Sequence, residues 1–194
     1  MNKQSIQRIV KGCQNKDSKY QRLFVEQYAG LLYAICLRYM GNREDANDQL
    51  QIGLFKILEK INKFDPNRGK IESWIATIVI NTCLSELRKN KLYILPINDE
   101  TINTSIVSPE VIDKMTTEEI INIVQNLPSI YREIFNLIEI DGFSHKEAAQ
   151  MLDIKLGSSR SRLARSKEML RVLLIKNGYV ENEMMGFQIK NGKG

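Results

Sequence analysis

The sequence has one histidine, one tryptophan, four prolines and three cysteines in 194 residues. Cys13, Cys36 and Cys83 are far apart and odd in number, so they supply neither a disulfide framework nor the paired spacing of a zinc site. His145 alone is little material for a histidine-based triad or a metal centre. No glycine loop of the phosphate-cradling kind is present, so nucleotide hydrolysis is not indicated and no cofactor is expected. No apolar run reaches the length of a membrane span, and the opening "MNKQSIQRIVKGCQNKDSKY" lacks the apolar core of a signal peptide. The expectation is a cytoplasmic chain without direct membrane insertion and without a small-molecule substrate.

What is present suits packed helices. Apolar residues make up 43% of the chain and charged residues 26%, enough for folded cores, and the length fits two small domains. From Tyr20 onward, Leu23, Phe24, Gln27, Tyr28, Leu31, Leu32, Ile35, Cys36 and Tyr39 recur at helical spacing, which predicts one broad inward face. On that stripe Cys36 reads as a small buried residue. Gly41 and Asn42 close this helix, and Asn42 can cap the next, which carries Ala46, Leu50, Leu54, Ile57, Leu58 and Ile61 inward. After a turn at "KFDPNRGK", a third helix places Ile71, Trp74, Ile75, Ile78, Val79 and Thr82 on one side. Ser73, Thr77, Asn81, Ser85 and Arg88 fall on the other.

A stretch with Pro96, Pro109 and no sustained period follows and reads as a linker, net acidic, with Lys114 its only base between Asn98 and Glu119. Thr116 and Glu119 have capping-box spacing and open another helix, broken at Pro128. The helix after it carries Ile130, Ile134, Phe135 and Ile138 and ends at Asp141 and Gly142. The prediction is all-α: two small helical domains joined by a flexible linker. Residues 1–92 form the first domain, 93–115 the linker, 116–176 the second domain, and 177–194 a tail.

The run "FSHKEAAQMLDIKLGSSRSRLARSKEML" has helix-turn-helix spacing. Ser144 and Glu147 can cap its first helix, Ala148, Ala149 and Leu152 face inward, and Asp153, Ile154 and Lys155 turn the chain. In the second helix Ser159, Leu163, Ser166 and Leu170 share one face, while Ser158, Arg160, Ser161, Arg162 and Arg165 share the exposed side. Between Lys155 and Lys176 seven cations stand against Glu168 alone, so much of the chain's formal +5 is concentrated there. His145 is expected to face solvent or a phosphate. Two other readings fit parts of the pattern: a helix-turn-helix regulator that acts without polymerase, and a nuclease or recombinase built on Glu44, Asp45 and Asp48.

The run "LPSIYREIFNLIEIDGFSHKEAAQMLDIKLGSSRSRLARSKEML" resembles region 4 of the extracytoplasmic-function group of sigma-70 family RNA polymerase sigma factors. "LFVEQYAGLLYAICLRYMGNREDANDQLQ" and "KINKFDPNRGKIESWIATIVINTCLSELRKN" resemble region 2, so the resemblance spans roughly Tyr20 to Leu174. It implies a non-enzymatic factor that binds core RNA polymerase and promoter DNA, with an anti-sigma factor as inhibitory partner. By that resemblance Asp48, Gln49, Gln51 and Lys56 dock on the polymerase. The loop with Asn67, Arg68 and Lys70 holds a base flipped from the minus-10 element. Ser73, Trp74, Thr77, Asn81 and Ser85 face the opening strand, although the spacing of Trp74 also suits the core. Arg88, Lys89 and Lys91 grip phosphates. Lys155, Ser158, Arg160, Ser161, Arg162 and Arg165 meet the minus-35 element as duplex. Four positions depart from the family pattern. Ile52 and Asn47 stand where acids are usual, Asp153 at the usual turn glycine, and Lys155 at a usual serine cap.

Overall fold

The computed structural model describes residues 3–90 and 116–179, and every regular element among them is helical. Helix α1 is Lys3–Gln14, α2 is Ser18–Met40, α3 is Arg43–Lys60 and α4 is Ile71–Asn90, with a 3-10 turn at Ile61–Lys63. Helix α5 is Thr117–Gln125, α6 is Ser129–Phe135, α7 is His145–Leu152 and α8 is Leu156–Lys176. Between α6 and α7 the chain widens into a π-helical turn at Asn136–Ile140. The expected linker, with Pro96 and Pro109, and the tail from residue 180 lie outside the described residues.

Local chemistry sets the junctions. Gly41 ends α2 with φ 84°, a left-handed conformation that costs glycine nothing. Asn42 accepts from the Asp45 N–H at 2.8 Å and caps α3, as its position predicts. Thr116 with Glu119, and Ser144 with Glu147, form reciprocal capping boxes at the starts of α5 and α7.

The α1 helix has no counterpart in the sequence reading. Its signal is there: Ile6, Ile9, Val10 and Cys13 recur at helical spacing, and the last three are buried. Twelve residues make a marginal helix by themselves, so α1 depends on docking against α2. The approach is close enough that a Cβ at Gly12 would overlap the Tyr20 ring. The inward stripe of α2 is also narrower than its spacing suggests. Phe24, Tyr28, Leu32, Ile35, Cys36 and Tyr39 are buried, but Leu23 and Leu31 are 38% and 45% exposed and Gln27 is exposed, all three on a solvent flank.

The two helical parts share one core. Ile134, Leu137, Ala148, Leu152 and Leu163 belong to the same buried cluster as Leu32, Ile57 and Ile75. Helix α2 touches both α5 and α6, and α4 touches α7. The carbonyls at the end of α2 lack the full set of helical N–H donors, Leu37 accepting from the Gly41 cap N–H at 3.3 Å, and side chains of the C-terminal part supply donors. Gln125 Nε2 donates to the Leu37 carbonyl at 2.9 Å, Asn136 Nδ2 to that of Arg38 at 3.0 Å, and Arg132 Nη2 to that of Met40 at 3.4 Å. This explains why α6 and the turn after it bury Arg132 and Asn136, with Glu133 buried beside Arg132, while Ile130, Phe135 and Ile138, expected inward, are only half-buried. Burial pulls the Arg132 guanidinium below its ordinary pKa, and neighbouring Glu133 opposes that shift.

Asp141 closes the contact. Its Oδ1 accepts from Arg38 Nη2 at 2.8 Å and its Oδ2 from the Tyr39 hydroxyl at 2.7 Å. The Arg38 and Asp141 side chains are 13% and 12% exposed, so the pair is largely removed from solvent. Burial, then the Asp141 charge, pushes the Tyr39 hydroxyl well above its ordinary pKa, so it stays a donor. Replacing one member of such a pair strands the other charge. Asp141→Ala is therefore expected to lower unfolding free energy in urea by about 3–5 kcal/mol. Gly41→Ala is expected to cost at least about 1 kcal/mol, because the new Cβ is strained at positive φ and overlaps the Arg132 guanidinium.

Candidate nucleic-acid interface

The helix-turn-helix is formed by α7 and α8. Ala148, Ala149 and Leu152 are buried, and the small side chains let α8 pack closely. Asp153 takes the left-handed cap conformation, φ 53°, in place of glycine, which aspartate tolerates better than most residues. Lys155 occupies the N-cap of α8 with no side-chain cap bond, so that helix start lacks the usual hydroxyl anchor. Ser159, Leu163, Ser166 and Leu170 are buried as their spacing predicts. His145 is half-buried, and its Nδ1 lies 2.9 Å from the buried Ser159 hydroxyl, which ties α7 to α8.

On the outer side of α8, Lys155, Arg160 and Ser161 are exposed, and Ser158, Arg162 and Arg165 half-buried. Of the cations further along, Lys167 and Arg171 are engaged within the protein, and Lys176 in the last turn is exposed. Lys167 pairs with Glu139 at 2.9 Å, and Arg171 lies 3.8 Å from Glu168. The outward basic face is thus concentrated in the first half of α8, nearest the turn.

A second polar face runs along α4. Ser73, Thr77 and Asn81 are exposed and Ser85 half-buried. Each donor bonds one helical turn back: Thr77 Oγ1 to the Ser73 carbonyl at 2.8 Å, Asn81 Nδ2 to that of Thr77 at 2.8 Å, and Ser85 Oγ to that of Asn81 at 2.7 Å. These local bonds hold the side chains along the helix and leave oxygen acceptors facing outward. Arg88 is exposed with its guanidinium 3.4 Å from Ser85 Oγ, and Lys89 pairs with Glu86 at 2.9 Å. Lys91 lies outside the described residues. Trp74 is half-buried against Phe64, ring centroids 5.6 Å apart, so the packing role of its spacing is realised. In the preceding loop Asp65 Oδ1 accepts the Asn67 N–H at 2.9 Å, and Asn67, Arg68 and Lys70 are exposed.

Helix α3 sorts the proposed docking residues. Asp48 and Gln51 are exposed. Gln49 is only 5% exposed, because it lies on the inward stripe with Ala46, Gly53 and Ile57; it does not reach the outer face. Lys56 is half-buried and its Nζ donates to Thr82 Oγ1 at 3.3 Å, which turns it toward α4. The outer face instead shows Phe55, 70% exposed, and Ile52, 42% exposed. Phe55 stands neither on the inward stripe nor among the docking residues expected from the sequence; its offset from Ala46, Gln49, Gly53 and Ile57 was the available signal. Asp45, one of the acids of the nuclease reading, accepts from the Asn42 side chain at 2.7 Å and serves the helix start. Among the described residues no group of acids, histidines and cysteines could hold a metal ion.

A helix-turn-helix with a basic outward face, following a helical domain with its own polar face, defines a two-part DNA-binding protein. Sigma-70 region 2 matches residues 24–93, and sigma-70 region 4 matches residues 117–170. The chain is 32% identical over 149 residues to the RNA polymerase sigma factor SigZ of Bacillus subtilis, covering 76% of this chain and 82% of that one. It is 28% identical over 158 residues to the ECF RNA polymerase sigma factor SigE of Mycolicibacterium smegmatis, covering 79% of this chain and 61% of that longer relative. In fold it is similar to the sigma factor RpoE of Bartonella quintana, solved in complex with the anti-sigma factor NepR. That likeness has TM-score 0.51 at 22% identity and covers 79% of this chain and 95% of the other. The chain belongs to the extracytoplasmic-function sigma-70 family of RNA polymerase sigma factors. It is a non-enzymatic factor that binds core RNA polymerase and promoter DNA and directs promoter-specific initiation through regions 2 and 4. No helix among the described residues is long and apolar enough to cross a membrane.

The α7 cap ties helix-turn-helix stability to pH. The Ser144 hydroxyl, then its N–H, holds the Glu147 carboxyl below the ordinary value of 4.5. A depressed carboxylate contributes fully above pH 4.5 and loses that contribution as pH falls below it. Ser144→Ala is expected to cost about 1 kcal/mol at pH 7. In denaturation curves the difference from the unsubstituted chain should shrink as the pH falls below that value.

Proposed function

We propose a division of labour between the two regions, acting in the cytoplasm where core polymerase works. Residues 1–92 dock on the polymerase and open the minus-10 element, and residues 116–176 read the minus-35 element as duplex. The observation that carries this reading is that Ser73, Thr77 and Asn81 along α4, and Lys155, Arg160 and Ser161 along the first half of α8, are exposed while the two regions share one core. Arg160 and Arg162 are the base-reading candidates, since a guanidinium can fork onto a guanine edge. Lys155 and Arg165 suit phosphates, and the small Ser158 and Ser161 let the backbone come close. On the region 2 side, Asn67, Arg68 and Lys70 border the position of an extruded base. Ser73, Thr77, Asn81 and Ser85 line the opened strand beside Trp74, while Arg88 and Lys89 hold its phosphates. An anti-sigma factor belongs to the same reading, supported by family membership.

Polymerase docking on α3 is read as apolar at its centre. Asp48 and Gln51 form the rim, and Phe55 with Ile52 the anchor, in place of the acid usual at position 52. Exposed aromatic anchors carry a disproportionate share of interface energy. Phe55→Ala is expected to weaken binding to core polymerase at least about tenfold, with little change in thermal stability, because the ring is already in water. A titration against labelled core enzyme measures it.

Run-off transcription with purified cognate core, with and without the chain, tests the whole reading. Promoter-dependent transcripts should appear only when the chain is present. On duplex upstream DNA, Arg160→Ala or Arg162→Ala is expected to cost about 1–3 kcal/mol and to relax preference at one position. An equal loss on every upstream sequence would remove the base-reading role.

A further inference from the structure

Between α1 and the loop that leads into α4 lies a cleft of about 1070 Å³. Its walls come from two separate pieces of chain. Ile6 and Val10 of α1 and Phe64 and Ile71 from the other piece give it apolar lining, and Gln7 and Lys11 of α1 line it together with Asn67 and Lys70. The α1 wall is built into the fold: Gly12 seats it against Tyr20, Gln14 Nε2 donates to the Ile61 carbonyl at 3.3 Å, and Arg8 Nε donates to the Tyr20 hydroxyl at 3.1 Å.

We propose that α1 is the second wall of a nucleobase site, in which Gln7 reads the edge of an unstacked promoter base and Lys11 holds the adjoining phosphate. The proposal rests on the reading that the 65–70 loop takes an extruded base, and extends that site to a helix with no assigned role. Three features select a nucleotide as occupant. An apolar lining that includes an aromatic ring suits the face of a base, and Phe64 is braced by Trp74. The lip is cationic, with Lys11, Arg68 and Lys70 exposed. The one acid in the lining, Glu72, already accepts from the Tyr28 hydroxyl at 3.3 Å. The cleft also adjoins the start of the α4 polar face in the chain, its lining ending at Glu72 just before the exposed Ser73. Gln7 is the base reader of the α1 pair because an amide can both donate and accept, whereas an ammonium only donates.

The test uses the full chain bound to core polymerase. Single-stranded oligonucleotides covering the melted region, randomised one position at a time, are selected on the holoenzyme and sequenced. The selection is run with the unsubstituted chain and with Gln7→Ala, Lys11→Glu and Asn67→Ala. Gln7 and Lys11 are exposed, so their substitution should leave the melting temperature unchanged. Gln7→Ala and Asn67→Ala are expected to relax preference at the same single position. Lys11→Glu is expected to weaken binding of every sequence about tenfold, with a shallower salt dependence. If Asn67→Ala relaxes a position and both α1 variants match the unsubstituted chain, α1 is no part of the site and the loop reading stands alone. If neither α1 nor loop variants change selection while the holoenzyme still initiates at promoters, both fall. A uniform loss with Lys11→Glu and no relaxed position with Gln7→Ala overturns base reading by α1.

Discussion

The contact on which the arrangement turns is the carboxylate of Asp141, placed between Arg38 and Tyr39. A buried carboxylate is costly unless its oxygens are satisfied, and here one accepts from a guanidinium and the other from a phenol. The partners are adjacent in sequence at the end of α2, so the pair fixes orientation as well as distance. Asp141 reaches them through the π-helical turn after α6, where its N–H bonds back to the Asn136 carbonyl at 2.8 Å. That widened turn leaves Asn136 itself free to cap Arg38, so one backbone irregularity serves two contacts across the same joint.

Around that joint the other polar contacts follow one rule: the carbonyls at the end of α2 have acceptor capacity to spare, and the C-terminal part brings the donors. Gln125, Arg132 and Asn136 are spread over α5, α6 and the turn, yet they converge on Leu37 to Met40. The positive charges of Arg38 and Arg132 also sit at the negative end of the α2 dipole. Hydrophobic burial alone would hold the two parts together without choosing among rotations. The directional bonds choose one.

Features set by neighbours in sequence were legible. Asn42, Ser144 and Asp153 do what their positions predict, and the buried face of α8 is the one its spacing specifies. What could not be read was whatever depended on a distant segment. The buried Arg132, Glu133 and Asn136 look like surface residues until α2 is placed beside them, and the tie between His145 and Ser159 shows only once α7 and α8 are packed together. The outer faces of α4 and α8 were legible because solvent-facing polar residues need no partner. On α3 the stripe shifted: Gln49 turned inward where Gly53 lets α3 approach Val79 of α4, and Phe55 was left outside.

The polar bonds of the joint involve none of the residues proposed to meet DNA, and this bears on how such a protein works. Leu163 of α8 enters the shared core, but Ser73, Thr77 and Asn81 of α4 and Lys155, Arg160 and Ser161 of α8 stay exposed with the two parts packed together, so closure does not cover them. Closure does fix the distance and angle between them. A duplex that presents its two elements at a different spacing, or a polymerase that holds regions 2 and 4 apart, must first break the Asp141 pair and expose the shared core. Its apparent affinity for the chain then falls in proportion to the fraction of open molecules. Binding energy from the proposed docking face of α3, whose Phe55 and Ile52 point away from the shared core, would offset that cost before DNA is engaged. The same pair of surfaces can therefore be soluble and self-contained without polymerase and separable on it, with the balance set by a few buried bonds.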